Sequence, residues 1–139
     1  MKANKSEIEK FLNHEFPQCL EKSRIELVEP KSATLRYLVD PNDLRPGGTV
    51  SGPTMMTLAD FALYVAILGE IGLVGLTVTT SMSVNFLRKP EGNKDLIAKC
   101  VLIKVGKTLV VGEVWIYSEG HEDAVAHVVG TYSIPPQAK

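Results

Sequence analysis

Near the start of the chain the apolar positions follow helical spacing. Ile8, Phe11 and Leu12 stand among lysines and glutamates in residues 4 to 15, which predicts a short amphipathic helix on the domain surface, ended by Pro17. Strand spacing follows. Ile25, Leu27 and Val28 lead to Pro30, and Ala33, Leu35, Tyr37 and Val39 then alternate with polar residues. The pair reads as a hairpin turning at Glu29-Pro30-Lys31-Ser32. Residues 40 to 50, dense in Pro, Gly, Asn and Asp, are expected to be a loop.

Residues 51 to 69, SGPTMMTLADFALYVAILG, change character abruptly. Ser51 suits an N-cap, Pro53 the first turn and Gly69 the exit of a helix that is apolar on nearly every face. Such a helix has to be the buried centre of the fold. Strand-like runs follow at Val78 to Leu87, Leu96 to Val105, Thr108 to Tyr117 and Ala124 to Ile134, with short turns that favour an antiparallel meander. The expected architecture is α+β, one long helix wrapped by a curved antiparallel sheet of about six strands. A sheet of this kind leaves its edges exposed, so edge-to-edge dimerisation or stacking into a larger oligomer is the natural way to complete burial.

A chain of 139 residues accommodates these elements as one domain, residues 1 to 139. With 45% hydrophobic and 22% charged residues it is neither disordered nor collagen-like. A formal net charge of −1 gives no reason to expect nucleic acid or an anionic membrane, and an anionic ligand must meet a local basic cluster. Cys19 and Cys100 make neither a disulfide framework nor a metal-ligand spacing and read as reduced thiols. The N-terminus has no apolar core of signal-peptide type, and Phe61 to Val78 is interrupted by Glu70 and three glycines, so a cytoplasmic location is expected.

Asp60 is the informative residue. It lies within MMTLADFALYVA, among apolar or small neighbours, where an unpaired carboxylate costs on the order of several kcal/mol. Either it pairs with a lysine or arginine at a subunit interface, or it acts as a general base or nucleophile. Ser51-Gly52-Pro53 places a glycine at a helix N-terminus, where free amides and the helix dipole favour developing negative charge. Plain N-capping explains the same three residues. Arg88 and Lys89 at a strand end, and Lys104 and Lys107 around Gly106, suit either phosphate anchoring or solvated loops. His14, His121 and His127 show no metal-ligand spacing, and there is no nucleophile elbow or Walker loop.

Residues 42 to 66 and 79 to 90 resemble the PaaI-like branch of the hotdog thioesterase superfamily. That family's pattern is a loop Asn-Pro-x-Gly-x-x, then His-Gly-Gly, then Leu-x-Asp-x-Ala. Here it reads Arg45-Pro46-Gly47-Gly48-Thr49-Val50, Ser51-Gly52-Pro53 and Leu58-Ala59-Asp60-Phe61-Ala62. Asn85-Phe86-Leu87-Arg88-Lys89-Pro90 resembles the family's strand ending, and Gly106-Lys107-Thr108-Leu109 resembles its following turn. The resemblance spans residues 40 to 134 and implies a hotdog fold.

It also implies hydrolysis of an acyl-CoA thioester, with Asp60 as the catalytic carboxylate and Gly52 N–H as oxyanion donor. Thr80 then stands where a strand hydroxyl orients water, and Arg88 and Lys89 where CoA phosphates are met. Ser51, Arg45, Asn42, Asn85 and Lys107 complete the implied substrate-binding set. The motif histidine is Ser51 here, its second glycine is Pro53, and the loop asparagine is Arg45, with Asn42 nearby. No metal or redox cofactor is implied, since coenzyme A enters only as part of the substrate. The partners implied are the acyl-CoA and further copies of the chain, as a dimer or tetramer. A non-hydrolytic acyl-CoA or acyl-carrier binding protein is the alternative, and a hydratase, which needs a histidine, ranks last.

Overall fold

Asn4 and Glu7 start the first helix: the Asn4 side chain accepts the Glu7 amide while the Glu7 side chain accepts the Asn4 amide. In the computed structural model, which describes residues 1–136, this helix is α1 (Lys5–Glu15), and it buries Ile8 and Leu12 as the spacing predicts. A 3₁₀ turn at Pro17–Leu20 leads into β1 (Ser23–Glu29), which pairs antiparallel with β2 (Ser32–Tyr37). The hairpin turns where expected: Glu29 faces Ser32, and Lys31 takes a left-handed φ of 57°.

The segment expected to be loop is more ordered than that. Pro41–Asp43 forms a 3₁₀ turn capped by the Asp40 side chain, and β3 (Leu44–Arg45) pairs with β4 (Thr49–Val50) in a small separate hairpin. Gly47 and Gly48, at φ of 98° and 77°, allow the reversal between them.

Next comes the central helix, α2 (Gly52–Ile71), with Ser51 as N-cap. Its exit is Gly72, at φ 101°, rather than Gly69. Gly69 serves contact instead: a Cβ there would stand 2.9 Å from Val28 Cγ1 of β1. By length and a mean hydropathy of 1.5 this helix could cross a bilayer, but Leu58, Leu63, Ile67 and Leu68 are fully buried within the fold.

β5 (Val78–Phe86), β6 (Leu96–Val105), β7 (Leu109–Ser118) and β8 (Ala126–Ser133) complete a six-stranded antiparallel sheet in the order β1-β2-β6-β7-β8-β5. The meander expectation holds for β6, β7 and β8 only. β5 pairs with β8, and residues 87 to 95 carry the chain across to β6. Turn residues mark where a chain reverses, but the neighbour a strand finds depends on which edge is still open. β5 therefore lies at one edge of the sheet, next to the Asp60 side of α2.

Candidate functional site

Asp60 meets hydroxyls rather than a cation. Thr79 Oγ1 donates to Asp60 Oδ1 at 2.6 Å and Tyr132 OH donates to the same oxygen at 2.5 Å, with a longer bond to the Asp60 carbonyl at 2.9 Å. Thr79 and Tyr132 are direct cross-strand partners on β5 and β8, so the sheet presents both hydroxyls to the helix together. Oδ2 has no protein partner among the described residues. Burial, with Asp60 as a second cause, pushes the Tyr132 phenol well above its ordinary value and keeps it a donor.

The hydroxyl at Asp60 belongs to Thr79, whereas the resemblance pointed to Thr80. Thr80 donates to the Thr131 carbonyl at 3.2 Å. The strand register shifts between Thr79 and Ser81, making Thr80 the extra residue of a β-bulge. A bulge cancels simple alternation, so position along the strand does not by itself say which threonine meets Asp60.

A cavity of about 470 Å³ opens beside Asp60, lined on its polar side by Thr57, Thr77, Thr79 and Tyr132 and on its apolar side by Phe16, Phe61, Tyr64 and Val78. Cys19 also lines it, its thiol pushed up to about 12 by burial and, secondarily, by Asp60. That leaves it a poor nucleophile. The Phe16 and Cys19 contributions come from the connection after α1, which the sequence offered no reason to place there.

At the start of α2, Ser51 Oγ accepts the Thr54 amide at 3.3 Å and Ser51 O accepts that of Met55 at 3.3 Å. Pro53 has no N–H. Gly52 N–H is thus the one first-turn amide without a partner among the described residues. A Cβ on Gly52 would stand 3.0 Å from the Phe86 ring. A second cavity, about 600 Å³, gathers Gly52, Arg45, Arg88 and Lys89. None of these three cations makes an ion pair among the described residues. Asn42, Asn85 and Lys107 line neither cavity: Asn42 donates its amide to Asp40 Oδ1 at 2.7 Å, and the other two are exposed on β5 and in the β6–β7 turn.

The sequence reading overlooked Asp43. It is 6% exposed and accepts from Tyr37 OH at 2.6 Å, Thr54 Oγ1 at 3.3 Å, the Asp40 amide at 2.9 Å and the Lys22 ammonium. Its carbonyl accepts the Ser51 amide at 2.8 Å, and Ser51 Oγ lies 2.9 Å from Thr54 Oγ1. This network ties the 40–50 segment to the helix end that carries Gly52. Burial works to raise the Asp43 carboxyl, but Lys22 and Tyr37 outweigh it and hold the group below its usual range. Only the Asp-Pro turn signature at Asp40-Pro41 hinted at order here.

Gly52 and Asp60 lie eight positions apart, about 12 Å along the helix axis at its rise per residue. One carbonyl cannot touch both within a single chain, and the two cavities are accordingly distinct. Elsewhere, His121 and His127 pair with Glu91 and Glu113 at 3.0 Å, and among the described residues no three His, Cys, Asp or Glu side chains form a metal-sized group.

The thioesterase superfamily profile matches residues 47–125. A candidate thioesterase from Silicibacter sp. is 43% identical, with a TM-score of 0.88, covering 96% of this chain and 92% of its own. The PaaI protein of the phenylacetic acid degradation operon of E. coli superposes with a TM-score of 0.79 at 19% identity, over 93% of this chain and 90% of its own. A hypothetical thioesterase of Streptococcus pneumoniae, solved with coenzyme A, gives 0.75 at 22% identity, over 95% and 99%. At these identities the last two speak to the fold alone. A search of curated proteins finds no match.

Proposed function

The chain belongs to the thioesterase superfamily and has its hotdog fold, and on that footing we propose that it is a PaaI-like enzyme that hydrolyses an acyl-CoA thioester at a site shared by two copies of the chain. The observation that carries this reading is the Asp60 carboxylate, held by Thr79 and Tyr132 at the mouth of a largely apolar cavity. Asp60 either takes a proton from a water as its oxygen adds to the thioester carbonyl, or attacks that carbonyl itself to give an anhydride that water then opens. Gly52 N–H of the second copy, with the dipole of its α2, holds the oxyanion. The C–S bond breaks, the CoA thiolate leaves and is protonated, and the free acid remains.

Geometry supports the two-copy arrangement. Gly52 and Asp60 are too far apart to serve one carbonyl in cis, and β5 is an open edge. Around that edge Val78, Phe86 and Leu87 are 56%, 51% and 50% exposed, and Met56 of α2 is 41% exposed. Pairing of two β5 edges covers this surface and brings each Asp60 toward the other helix's N-terminus. Arg45, Arg88 and Lys89 then supply unpaired positive charge for the CoA phosphates.

A panel of acyl-CoAs, followed by release of free thiol, tests the reading. Wild type turns over at least one class, and Asp60→Asn lowers kcat by about a thousandfold with the melting temperature kept. A single free amide at the helix start also suits a protein that binds acyl-CoA without hydrolysing it. Binding without turnover on any substrate would establish that alternative and reject the hydrolytic one.

A further inference from the structure

Beyond Tyr64 the Asp60 cavity meets another, of about 350 Å³, which reaches Phe11, Glu15 and Leu76. Both cavities are lined by Phe16, Tyr64 and Gly75, so these residues form the wall between them. The wall is an aromatic pair: the Phe16 and Tyr64 rings stand edge to face, with centroids 6.3 Å apart and planes at 69°. Tyr64 is the fixed half. It is 8% exposed, its hydroxyl donates to the Gly75 carbonyl at 2.9 Å, and its ring stacks on Tyr132 at 6.4 Å. Phe16 is the adjustable half. It is 38% exposed, its amide caps α1 by donating to the Leu12 carbonyl, and its side chain has no polar tie.

Tyr64 lies one helical turn beyond Asp60, about 6 Å along the axis. An acyl chain whose carbonyl sits at Asp60 and whose tail runs into the cavity therefore meets the ring pair soon after leaving the reacting centre. We propose that Phe16 and Tyr64 form a gate that sets acyl length, so that the site takes short acyl groups ending before Tyr64 and rejects long unbranched ones. The inference rests on the proposed reading of the Asp60 cavity as the acyl site and names the substrate class. Chains that pass the gate enter a space lined by Phe11, the Glu15 carboxylate and Leu76. Since Leu76 is itself 78% exposed, a tail there stays partly against water and a charge. The bland account, in which the rings only pack the end of α1, makes the opposite prediction: weakening the pair lowers stability without changing chain-length preference.

Straight-chain acyl-CoAs from acetyl to palmitoyl are assayed for kcat/KM, and the matching S-alkyl-CoA thioethers, which cannot be hydrolysed, are titrated by calorimetry. Wild type is expected to lose about tenfold or more in both measurements once the chain passes the gate. Phe16→Ala moves that cut-off to longer chains, raising the long-to-short ratio of kcat/KM by about tenfold, and Phe16→Trp moves it to shorter ones. A cut-off unchanged in both variants, or a uniform loss at every length, overturns the gate while leaving hydrolysis intact. If nothing is hydrolysed, the hydrolytic reading falls and the thioether affinities still decide: a shifted cut-off upholds the gate, and a fixed one, or no binding at all, rejects it.

Discussion

Thr79 and Tyr132 reach Asp60 because they face each other across β5 and β8, and the bulge at Thr80 turns that neighbour aside. The hydroxyl from Thr79 holds one oxygen of the carboxylate, so on the proposed mechanism its loss acts on the chemical step. Thr79→Val is expected to lower kcat roughly tenfold, the worth of one hydrogen bond, with little change in KM. Thr80→Val is expected to stay near wild type. Steady-state kinetics on the best acyl-CoA check both, and equal effects from the two variants would reject the assignment. Asp60 itself was legible in the sequence because a carboxylate on an all-apolar helix is anomalous on its face. Its partners were not, since a single bulged residue reverses which threonine faces inward.

At the scale of elements, the approach of α2 to the sheet depends on a paired dent. Gly112 and Gly130 face each other across β7 and β8, and Leu63 fills the space between them. A Cβ at Gly130 would lie 2.5 Å from Leu63 Cδ1, and one at Gly112 2.7 Å from Cδ2. Gly130→Ala is therefore expected to cost about 1–3 kcal/mol in urea unfolding, with Leu63→Ala in the same chain giving a non-additive double mutant. The Lys22–Asp43 network governs the other end of α2. Because the folded Asp43 carboxyl is held below its unfolded value of about 3.9, its contribution is full above that pH and fades as the pH falls through the lowered value. Asp43→Asn is expected to be less stable at pH 7 and to lose less of its remaining stability between pH 5 and pH 2 than wild type does. Urea midpoints across that range read the difference, and parallel curves would count against it. The helix and the loop signature were both readable beforehand, but a glycine pair across two strands becomes visible only with the register.

For the whole molecule, the proposed mechanism needs a pair of chains, because Gly52 and Asp60 stand too far apart to serve one carbonyl in cis. Gly52→Pro removes the proposed oxyanion amide at the first helical position, where its ring must displace Phe86 slightly. Asp60→Asn removes the carboxylate, and circular dichroism checks both variants for an unchanged fold. Each variant alone should be inactive. Mixed and allowed to exchange subunits, they should recover about a quarter of wild-type turnover, because random pairing makes half the dimers mixed and each of those holds one intact site. No recovery, with exchange confirmed by mass spectrometry, would place both groups in one chain's site and reject the shared arrangement.

The sequence by itself determined several elements and the anomaly among them: the amphipathic α1, the β1–β2 hairpin, the buried α2 and the carboxylate at Asp60. Those features are local, written in spacing, turn residues and the cost of burying charge. The tertiary structure alone decided that β5 closes on β8 and lies open at the edge, that a bulge selects Thr79, and that Phe16 reaches the Asp60 cavity. Each depends on contacts between residues distant in the chain, where pairing competes among edges and one inserted residue changes which side chains meet.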